Sequence, residues 1–269
     1  MSQPGLSAAQ KEFYNENGYV LVKGLLDPQE AGALCREAHE LADRLRKFRD
    51  INAAWASVRA SDQVVLHCHD VQFHCAGFAR LLVDGRLGAA AAAIIGPNVQ
   101  LHHTKMFIKP PEKGATFPMH QDYPYFPHQR HSMIAAIIHL DDAPLEKGCV
   151  RVVPGSHKLG PLEPDNKTDL SLSPSRYSIA SATPCPAQAG DVLFFSYLTI
   201  HGSGMNTSKQ SRTTVLVQMR DPADPPTFRT HESRGQGMML AGIDPTCCTT
   251  KPLDDPSNAP AVAMGAMGG

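Results

Sequence analysis

Two histidines and an aspartate of this chain have the types and spacing of transition-metal ligands. His120 and Asp122 flank Gln121, and His201 follows far along the chain. Since side chains at i and i+2 of an extended strand point to the same side, His120 and Asp122 are expected to face inward while Gln121 points away. Two imidazoles and one carboxylate occupy one face of an octahedron and leave three positions open, which suits Fe(II). The sequence therefore predicts an iron site at these residues.

The elements that would position this site fall into a helical part and a β-rich part. Helices are predicted over 8–17 after the N-cap Ser7, from Asp27-Pro28 to about 48, and over 76–95 before Gly96-Pro97, with a short β run at 18–24. From residue 99 onward, short β-rich runs alternate with Gly, Pro and Asp, at 99–109, 132–140, 149–153, 191–198 and 213–220. This pattern predicts a mainly β fold with flanking helices, and a jelly roll fits best. Residues 158–188 are long for a connection, which favours an insertion or lid.

Composition sets the broad class of the protein. The chain has 269 residues, of which 42% are hydrophobic and 19% charged, so we expect a single globular domain over 1–250. Within it, a helical part extends to about 96 and a jelly-roll core covers about 97–222, while 251–269 is predicted to be a flexible tail. The formal net charge of -1 provides no electrostatic footprint for nucleic acid or an anionic membrane.

The cysteines and the apolar runs bear on the compartment. Seven cysteines lack the spacing of a disulfide framework, and the first residues lack a signal-peptide pattern, so a reducing, cytoplasmic compartment is expected. The longest strongly apolar run, 87–95, is too short to cross a membrane. A small-molecule partner is therefore favoured over nucleic acid or membrane, and the oligomeric state stays open.

Several motifs occur in an order that resembles the phytanoyl-CoA dioxygenase family of Fe(II)- and 2-oxoglutarate-dependent oxygenases. The resemblance extends from about residue 13 to 222 and rests on His120-Gln-Asp122, Asp141-Asp-Ala-Pro-Leu-Glu-Lys-Gly-Cys149, Val153-Pro-Gly-Ser-His157, Ala189-Gly-Asp-Val-Leu-Phe194, His201 and Arg212. It implies a double-stranded β-helix of the cupin-like type. It also implies Fe(II) held by His120, Asp122 and His201, with 2-oxoglutarate and O2 as cosubstrates and ascorbate as a possible stimulant.

The resemblance also indicates which residues would bind 2-oxoglutarate. The distal carboxylate of this cosubstrate needs a fixed cation, and Arg212 provides a two-pronged guanidinium. Ser203 matches a position where family members often offer a hydroxyl, and Thr214 lies on the same strand as Arg212. Lys105 matches a cosubstrate-contacting position at which many relatives have Met. Lys105 therefore has three open roles: binding 2-oxoglutarate, binding an anionic substrate, or lying at the barrel rim.

Substrate-binding candidates lie close to the predicted metal ligands. Residues 123–131 combine aromatic and basic side chains, and they either line the substrate mouth or form a proline-fixed surface loop. If they face the pocket, a polar or anionic substrate is favoured. The candidates are Tyr123, Tyr125, His128 and Arg130 from this segment, Lys109 from the strand of Lys105, and His139, for which a hydrogen-bonded core position is the expected alternative.

Two further alternatives concern a histidine-rich segment and the reaction. The segment from His67 to Cys75 is either a weak metal-binding motif or a loop beside the active-site opening, and the second is favoured because no clean second ligand pair exists. Hydroxylation of a C–H bond is the expected reaction. Desaturation, cyclisation or oxidative cleavage, in natural-product or phosphonate metabolism, would use the same ligands. A non-catalytic jelly-roll binding module is the alternative from another class, although a structural metal has no use for Arg212.

Overall fold

The N-terminal part of the fold is a set of helices with two short strands. The computed structural model describes residues 5–48, 66–228 and 232–246. In chain order the elements are α1 (Ala8–Asn17), β1 (Tyr19–Val22), α2 (Pro28–Phe48), β2 (Leu66–His69), α3 (Ala76–Val83) and α4 (Gly85–Ile95). The side chain of Ser7 caps α1 as expected, because it accepts from the Gln10 amide while the Gln10 side chain accepts from the Ser7 amide. Within the described ranges, every helix is too short or too polar to span a bilayer.

The remaining strands form two antiparallel sheets. They are β3 (Val99–Lys109), β4 (Phe117–His120), β5 (Ile134–His139), β6 (Val150–Val152), β7 (Thr183–Cys185), β8 (Val192–Ser196), β9 (His201–Ser203), β10 (Arg212–Arg220) and β11 (Met239–Ala241). The major sheet has the order β1-β8-β5-β10-β3-β11, with β2 also paired to β3. The minor sheet has the order β4-β9-β6-β7. The two sheets form the predicted jelly roll, a double-stranded β-helix.

The major sheet is buried on both faces, which explains the apolar run along β5. Ile134, Ala136 and Ile138 pack with the helices in one core cluster. Ala135 and Ile137 point the other way and join a second cluster with residues of β6 and β7. Alternation of side chains along a strand thus fills the space under the helices and the space between the sheets.

The structure corrects two sequence-based element predictions. The helix predicted over 76–95 is broken at Asp84, whose side chain accepts from the Arg86 amide at 2.9 Å and so caps α4. The histidine-rich segment predicted to be a loop begins with strand β2, which pairs with β3 from Leu66↔Ile108 to His69↔Lys105. The predicted tail at 251–269 lies outside the described residues.

The long segment at 158–188 packs against the minor sheet and contributes its edge strand β7. Leu172 belongs to a core cluster with Met119 and Ile200, and its amide donates to the Met119 carbonyl at 2.8 Å. The Tyr125 hydroxyl donates to the carbonyl of Asp169 at 2.7 Å. Among the described residues that line the central cavity, none comes from this segment. It therefore contacts the edge of the site from outside.

Candidate active site

A cavity of about 310 Å³ lies between the two sheets. Its walls come from the inner faces of β2, β3, β5, β8 and β10 and from β4, β6 and β9 of the minor sheet. His120, Asp122 and His201 line one part of it, and Arg212 lines another. The cavity therefore brings together the predicted metal ligands and the predicted cosubstrate anchor.

The three candidate ligands converge on one point. His120 and His201 are directly opposite each other across β4 and β9, and their ring centroids lie 4.3 Å apart. Asp122 Oδ1 lies 3.5 Å from His120 Nε2 and 3.7 Å from His201 Nε2. Each residue is only 9% exposed. Two imidazole nitrogens and a carboxylate oxygen at these separations could hold one divalent ion of the Fe(II) type.

Backbone carbonyls fix the tautomer of both histidines. His120 Nδ1 lies 2.8 Å from the Pro118 carbonyl, and His201 Nδ1 lies 3.0 Å from the Thr199 carbonyl. A carbonyl only accepts, so each Nδ1 must carry a proton, and Nε2 is the nitrogen of each ring that is left to bind a metal. Burial and the neighbouring His120 lower the pKa of His201 to about 4. Both rings therefore present Nε2 to the point where Asp122 also brings an oxygen.

Asp122 reaches the site from a turn and not from a strand, which corrects the sequence argument. Strand β4 ends at His120, and Asp122 has φ -76° and ψ -20°. Gln121 does point away, because its side chain donates to the carbonyls of Leu198 and Gly160. Asp122 Oδ2 accepts from Gln218 Nε2 at 2.6 Å. Burial raises the pKa of Asp122, but the histidines and this hydrogen bond outweigh it and lower the pKa to about 2.

Paired rows of side chains on β10 and β3 form one wall of the cavity. The register pairs Arg212 with Lys109, Thr214 with Phe107, Leu216 with Lys105, and Gln218 with His103. Because alternate residues share a face, all eight side chains point to the same side of the sheet, and all except Lys109 line the cavity. Arg212 and Lys109 mark one end of this wall, called the deep end below.

The deep end concentrates positive charge without a carboxylate. Arg212 is 4% exposed, and its guanidinium donates through Nη1 to the Gly148 carbonyl while Nε has no partner among the described residues. Lys109 is fully buried, and its ammonium donates to Ser203 Oγ at 2.6 Å and to the Gly204 carbonyl at 2.7 Å. No carboxylate of the described residues forms an ion pair with either cation.

A glycine at the deep end permits this close packing. Gly148 has φ +66°, and a Cβ there would lie 2.4 Å from the Gly204 carbonyl oxygen. Only glycine therefore lets the chain bring the Gly148 carbonyl to Arg212 while Gly204 accepts from Lys109.

The pKa values of both cations at the deep end are lowered, because burial disfavours the charged form. Burial lowers the pKa of Arg212 to about 10. Burial, followed by the charge of Arg212, lowers the pKa of Lys109 well below its ordinary value. Uncompensated buried cations are costly, and a carboxylate ligand would relieve that cost. The deep end therefore fits the distal carboxylate of 2-oxoglutarate.

His139 takes the expected core position but lacks the hydrogen bonds expected there. It is fully buried beside Thr214 in the β5–β10 register, and it does not line the cavity. The expectation of a hydrogen-bonded core histidine is wrong, since neither ring nitrogen has a partner among the described residues. Burial and then Arg212 lower the pKa of His139 to about 3, so the ring is neutral.

The other end of the cavity, called the mouth, is lined by histidines and one lysine. His67 and His69 reach it from β2, and His103 and Lys105 from β3. Lys105 is partly buried, and its pKa is lowered by burial, although Asp122 and Asp70 oppose this change. Asp122 is the only carboxylate among the described residues that line the cavity.

Only part of the aromatic and basic segment after Asp122 reaches the cavity. Tyr125 lines it, with its ring 6.2 Å from the His120 ring. Tyr123 instead packs on His131 and Tyr197, and His128 Nδ1 contacts the Phe126 carbonyl. Arg130 has a half-exposed side chain 3.8 Å from Asp221. The structure therefore does not bring Tyr123, His128 or Arg130 into the cavity, and the same is true of Lys109, which lies behind Ser203.

Sequence reasoning missed His103 and Gln218, and it expected the segment of His67 and His69 beside the opening without assigning either residue to the site. The signal for His67 and His69 was their i, i+2 spacing, which gives both one face once β2 forms. Gln218 had a weaker signal, its even spacing from Arg212 along β10.

A jelly roll that combines such a metal-ligand triad with a buried arginine is the architecture of non-haem oxygenases that use iron and 2-oxoglutarate. The model of the phytanoyl-CoA dioxygenase (PhyH) family matches residues 14–214, and the chain belongs to that family. It is therefore an oxidoreductase of the dioxygenase type, with Fe(II) and 2-oxoglutarate as cofactor and cosubstrate.

Two relatives agree with the family assignment, and a solved structure agrees with the fold. The chain is 29% identical over 231 residues to the peroxisomal phytanoyl-CoA dioxygenase of Rattus norvegicus, covering 78% of this chain and 67% of that protein. It is 28% identical over 217 residues to the methylphosphonate hydroxylase of Gimesia maris, covering 79% and 80%. The fold resembles the epimerase SnoN in complex with Fe3+, alpha ketoglutarate and nogalamycin RO, with a TM-score of 0.68, 24% identity, and coverage of 88% and 96%.

Proposed function

We propose that this protein hydroxylates a C–H bond of a small anionic metabolite, with iron held by His120, Asp122 and His201. The observation that carries the proposal is a single cavity with the triad in one wall, two buried cations without a carboxylate at the deep end, and a lysine among histidines at the mouth. When bound, iron and 2-oxoglutarate supply the oxidising power, with O2 consumed and succinate and CO2 released. The residues below orient the reactants for that chemistry.

The deep end binds the distal carboxylate of 2-oxoglutarate in this proposal. Arg212 provides the charge, and Thr214 and Ser203 provide hydroxyl groups that line the same cavity. Lys109 acts through Ser203, because it occupies a lone pair of Ser203 Oγ as a donor. The Ser203 hydroxyl hydrogen must then point elsewhere, and the cavity is where an acceptor carboxylate would be. Lys109 is thus a positioning residue and not a substrate ligand.

The size and charge of the cavity favour a small anion as the substrate. About 310 Å³ is at the lower end of the range for ligand sites, and 2-oxoglutarate occupies part of it. A long acyl chain would need more space than remains. At the mouth, Lys105 has no ion-pair partner among the described residues, so a substrate carboxylate or phosphonate would neutralise it.

The neutral groups at the mouth support the same choice. Burial, followed by His69 and Lys105, lowers the pKa of His67 to about 4, and burial also lowers the pKa of His69. Neutral imidazoles can donate one hydrogen bond each to an anion without adding charge. The relative named as a methylphosphonate hydroxylase makes phosphonates a natural first choice to test.

The test is a substrate screen scored by succinate release, with free acids, phosphonates, amines and coenzyme A thioesters side by side. We expect turnover with a small acid or phosphonate, and Lys105→Met should raise its KM by about 10-fold or more, the value of a lost charge-assisted bond. Uncoupled conversion of 2-oxoglutarate without substrate should be unchanged in Lys105→Met. Preference for a long-chain thioester would refute the substrate class, and absence of both 2-oxoglutarate binding and turnover would refute the enzyme assignment.

Product analysis distinguishes hydroxylation from the other outcomes. Desaturation, cyclisation and oxidative cleavage use the same ligands, and only the mass of the product separates them. A non-catalytic binding module would bind metal without converting 2-oxoglutarate. The unpaired Arg212 favours the enzyme, since a structural metal needs no distant cation.

The organisation of the chain and its setting complete the proposal. We propose one oxygenase domain over 1–250, acting on a small molecule and with no nucleic-acid or membrane partner. The described cysteines, Cys35, Cys68, Cys75, Cys149 and Cys185, are all free thiols, which suits the proposed reducing, cytoplasmic compartment. Ascorbate is expected to stimulate turnover.

A further inference from the structure

A second group of metal-ligand side chains lies outside the cavity, between α2 and the major sheet. Cys35 and His39 are four residues apart on α2, so they share one face of that helix. Asp141 follows the end of β5 and brings a carboxylate to the same place. One donor atom from each residue lies within 4.8 Å of the others, and all three residues are half-buried. In the described part of the chain, this group and the active-site triad are the two sets of three side chains that lie close enough together to hold one metal ion.

This group is separated from the active site by β10. Thr213 faces α2, where its hydroxyl lies 2.9 Å from His39 Nε2, whereas its neighbours Arg212 and Thr214 line the cavity on the opposite face. Asp141 accepts from the Thr213 amide through both oxygens, at 3.1 and 3.0 Å. The second group is therefore fixed to the strand that carries the cosubstrate anchor, but from behind.

We propose that Cys35, His39 and Asp141 bind a zinc ion, with water as the fourth ligand. A thiolate, an imidazole and a carboxylate are the donors that zinc prefers, and three protein ligands with one open position are common for it. A thiolate and a carboxylate carry two negative charges, so Zn2+ makes the half-buried group neutral. Each carboxylate oxygen has a second lone pair besides the one used by Thr213, so Asp141 can ligate without losing its backbone contact.

The surroundings predict how such binding depends on pH. In the metal-free state, burial and then Asp141 raise the pKa of the Cys35 thiol, although Thr213, Lys147 and Arg36 oppose this. Burial also raises the pKa of Asp141, against the effects of Thr213, Lys147 and Arg212. Zinc must displace the thiol proton, so affinity should decrease as pH falls. Lys147, Arg36 and Arg212 are the cations that act on the group, and they limit its affinity for Zn2+.

Cobalt(II) tests the site, because only a thiolate ligand gives an intense near-ultraviolet charge-transfer band with this ion. The proposed active-site ligands contain no sulfur. Full-length metal-free protein titrated with Co2+ should develop the band with one equivalent bound to the thiolate site, and Zn2+ should abolish it. Cys35→Ser should lose the band, while Cys75→Ser, which removes another half-buried thiol, should keep it. Asp141→Asn should keep the thiolate but weaken Co2+ binding by 10-fold or more.

Stability and activity measurements separate binding from folding defects. Zinc should raise the Tm of the wild type more than that of Cys35→Ser, in which only the active-site triad is left to bind it. The metal-free Tm and the turnover with Fe(II) should be the same in the two proteins. No band in the wild type, or a band that survives in Cys35→Ser, would overturn the proposal. Loss of the band in Cys75→Ser as well would also overturn it, because the thiolate would then not be specific to Cys35.

Discussion

Replacing Lys109 by methionine tests whether the deep end is built to bind an anion. Methionine is similar in length to lysine and lacks its charge. The substitution removes the donor to Ser203 Oγ and to the Gly204 carbonyl, and it leaves Arg212 as the one cation of this pair. We expect weaker binding of 2-oxoglutarate without loss of folding stability.

The magnitudes follow from the contacts. Two lost hydrogen bonds cost about 1 kcal/mol each in stability, whereas relief of a buried ammonium next to another cation is worth several kcal/mol. The free energy of unfolding of ligand-free Lys109→Met should therefore be equal to or higher than that of the wild type. For 2-oxoglutarate, loss of one charge-assisted interaction of about 1.5–3 kcal/mol predicts a Kd that is roughly 10- to 100-fold higher.

Anaerobic calorimetry with Fe(II) and 2-oxoglutarate measures the Kd, and urea unfolding measures the stability. Ser203→Ala should weaken binding too, and the double variant should lose less than the sum of the two single losses, because Lys109 acts through Ser203. Binding to the wild type should also weaken as pH rises through the lowered pKa of Lys109, since the anion favours the charged amine. This dependence should be absent in Lys109→Met. A variant that is much less stable, with an unchanged Kd, would show that Lys109 only supports the fold.

Two further substitutions and one control variant test the metal centre and the buried histidine. Gln218→Leu removes the donor to Asp122 and should lower the affinity for Fe(II) by about 10- to 100-fold in an iron titration. The control Gln121→Leu removes contacts that point away from the metal. It should lower the free energy of unfolding and leave iron binding unchanged. Equal iron loss in both would contradict this. His139 has a folded pKa of about 3 and an unfolded value of 6.5, so its contribution to stability is lost as pH falls below 6.5. Between pH 7.5 and 5.5 this amounts to about 1.4 kcal/mol. In urea unfolding, the free energy of unfolding should therefore decrease less between pH 7.5 and 5.5 in His139→Leu than in the wild type, by this amount. An equal decrease in the two proteins would rule out His139 as its source.

Sequence signals at the ends of helices and strands predicted the elements that they begin or end. The Ser7 capping box and the Pro28 start define α1 and α2, and the β-rich run over 99–109 coincides with β3. The break at Asp84 was missed because the apolar pattern continues across it, although aspartate is itself a preferred N-cap residue. The element predictions thus succeeded where sequence neighbours decide the structure.

Contacts between distant residues were harder to predict. Strand β2 is four residues long and exists through pairing with β3, about 40 positions away, so its own sequence carries little signal. Gln218 and Asp122 are 96 positions apart, and nothing local to either indicates their hydrogen bond. The triad could be predicted from the sequence because its residue types are chemically distinctive, whereas the turn that orients Asp122 could not be predicted.

The division of the cavity between strands has a consequence for how new specificities can arise. The deep end depends on β10, β9 and the last residue of β3, whereas the mouth takes His67 and His69 from β2, a short strand held at one edge of the major sheet. Exchange of the β2 side chains can therefore change what enters without disturbing the anchor for 2-oxoglutarate. A library restricted to positions 67 and 69 is thus a compact route to altered substrate range, with oxidative capacity retained in most of its members.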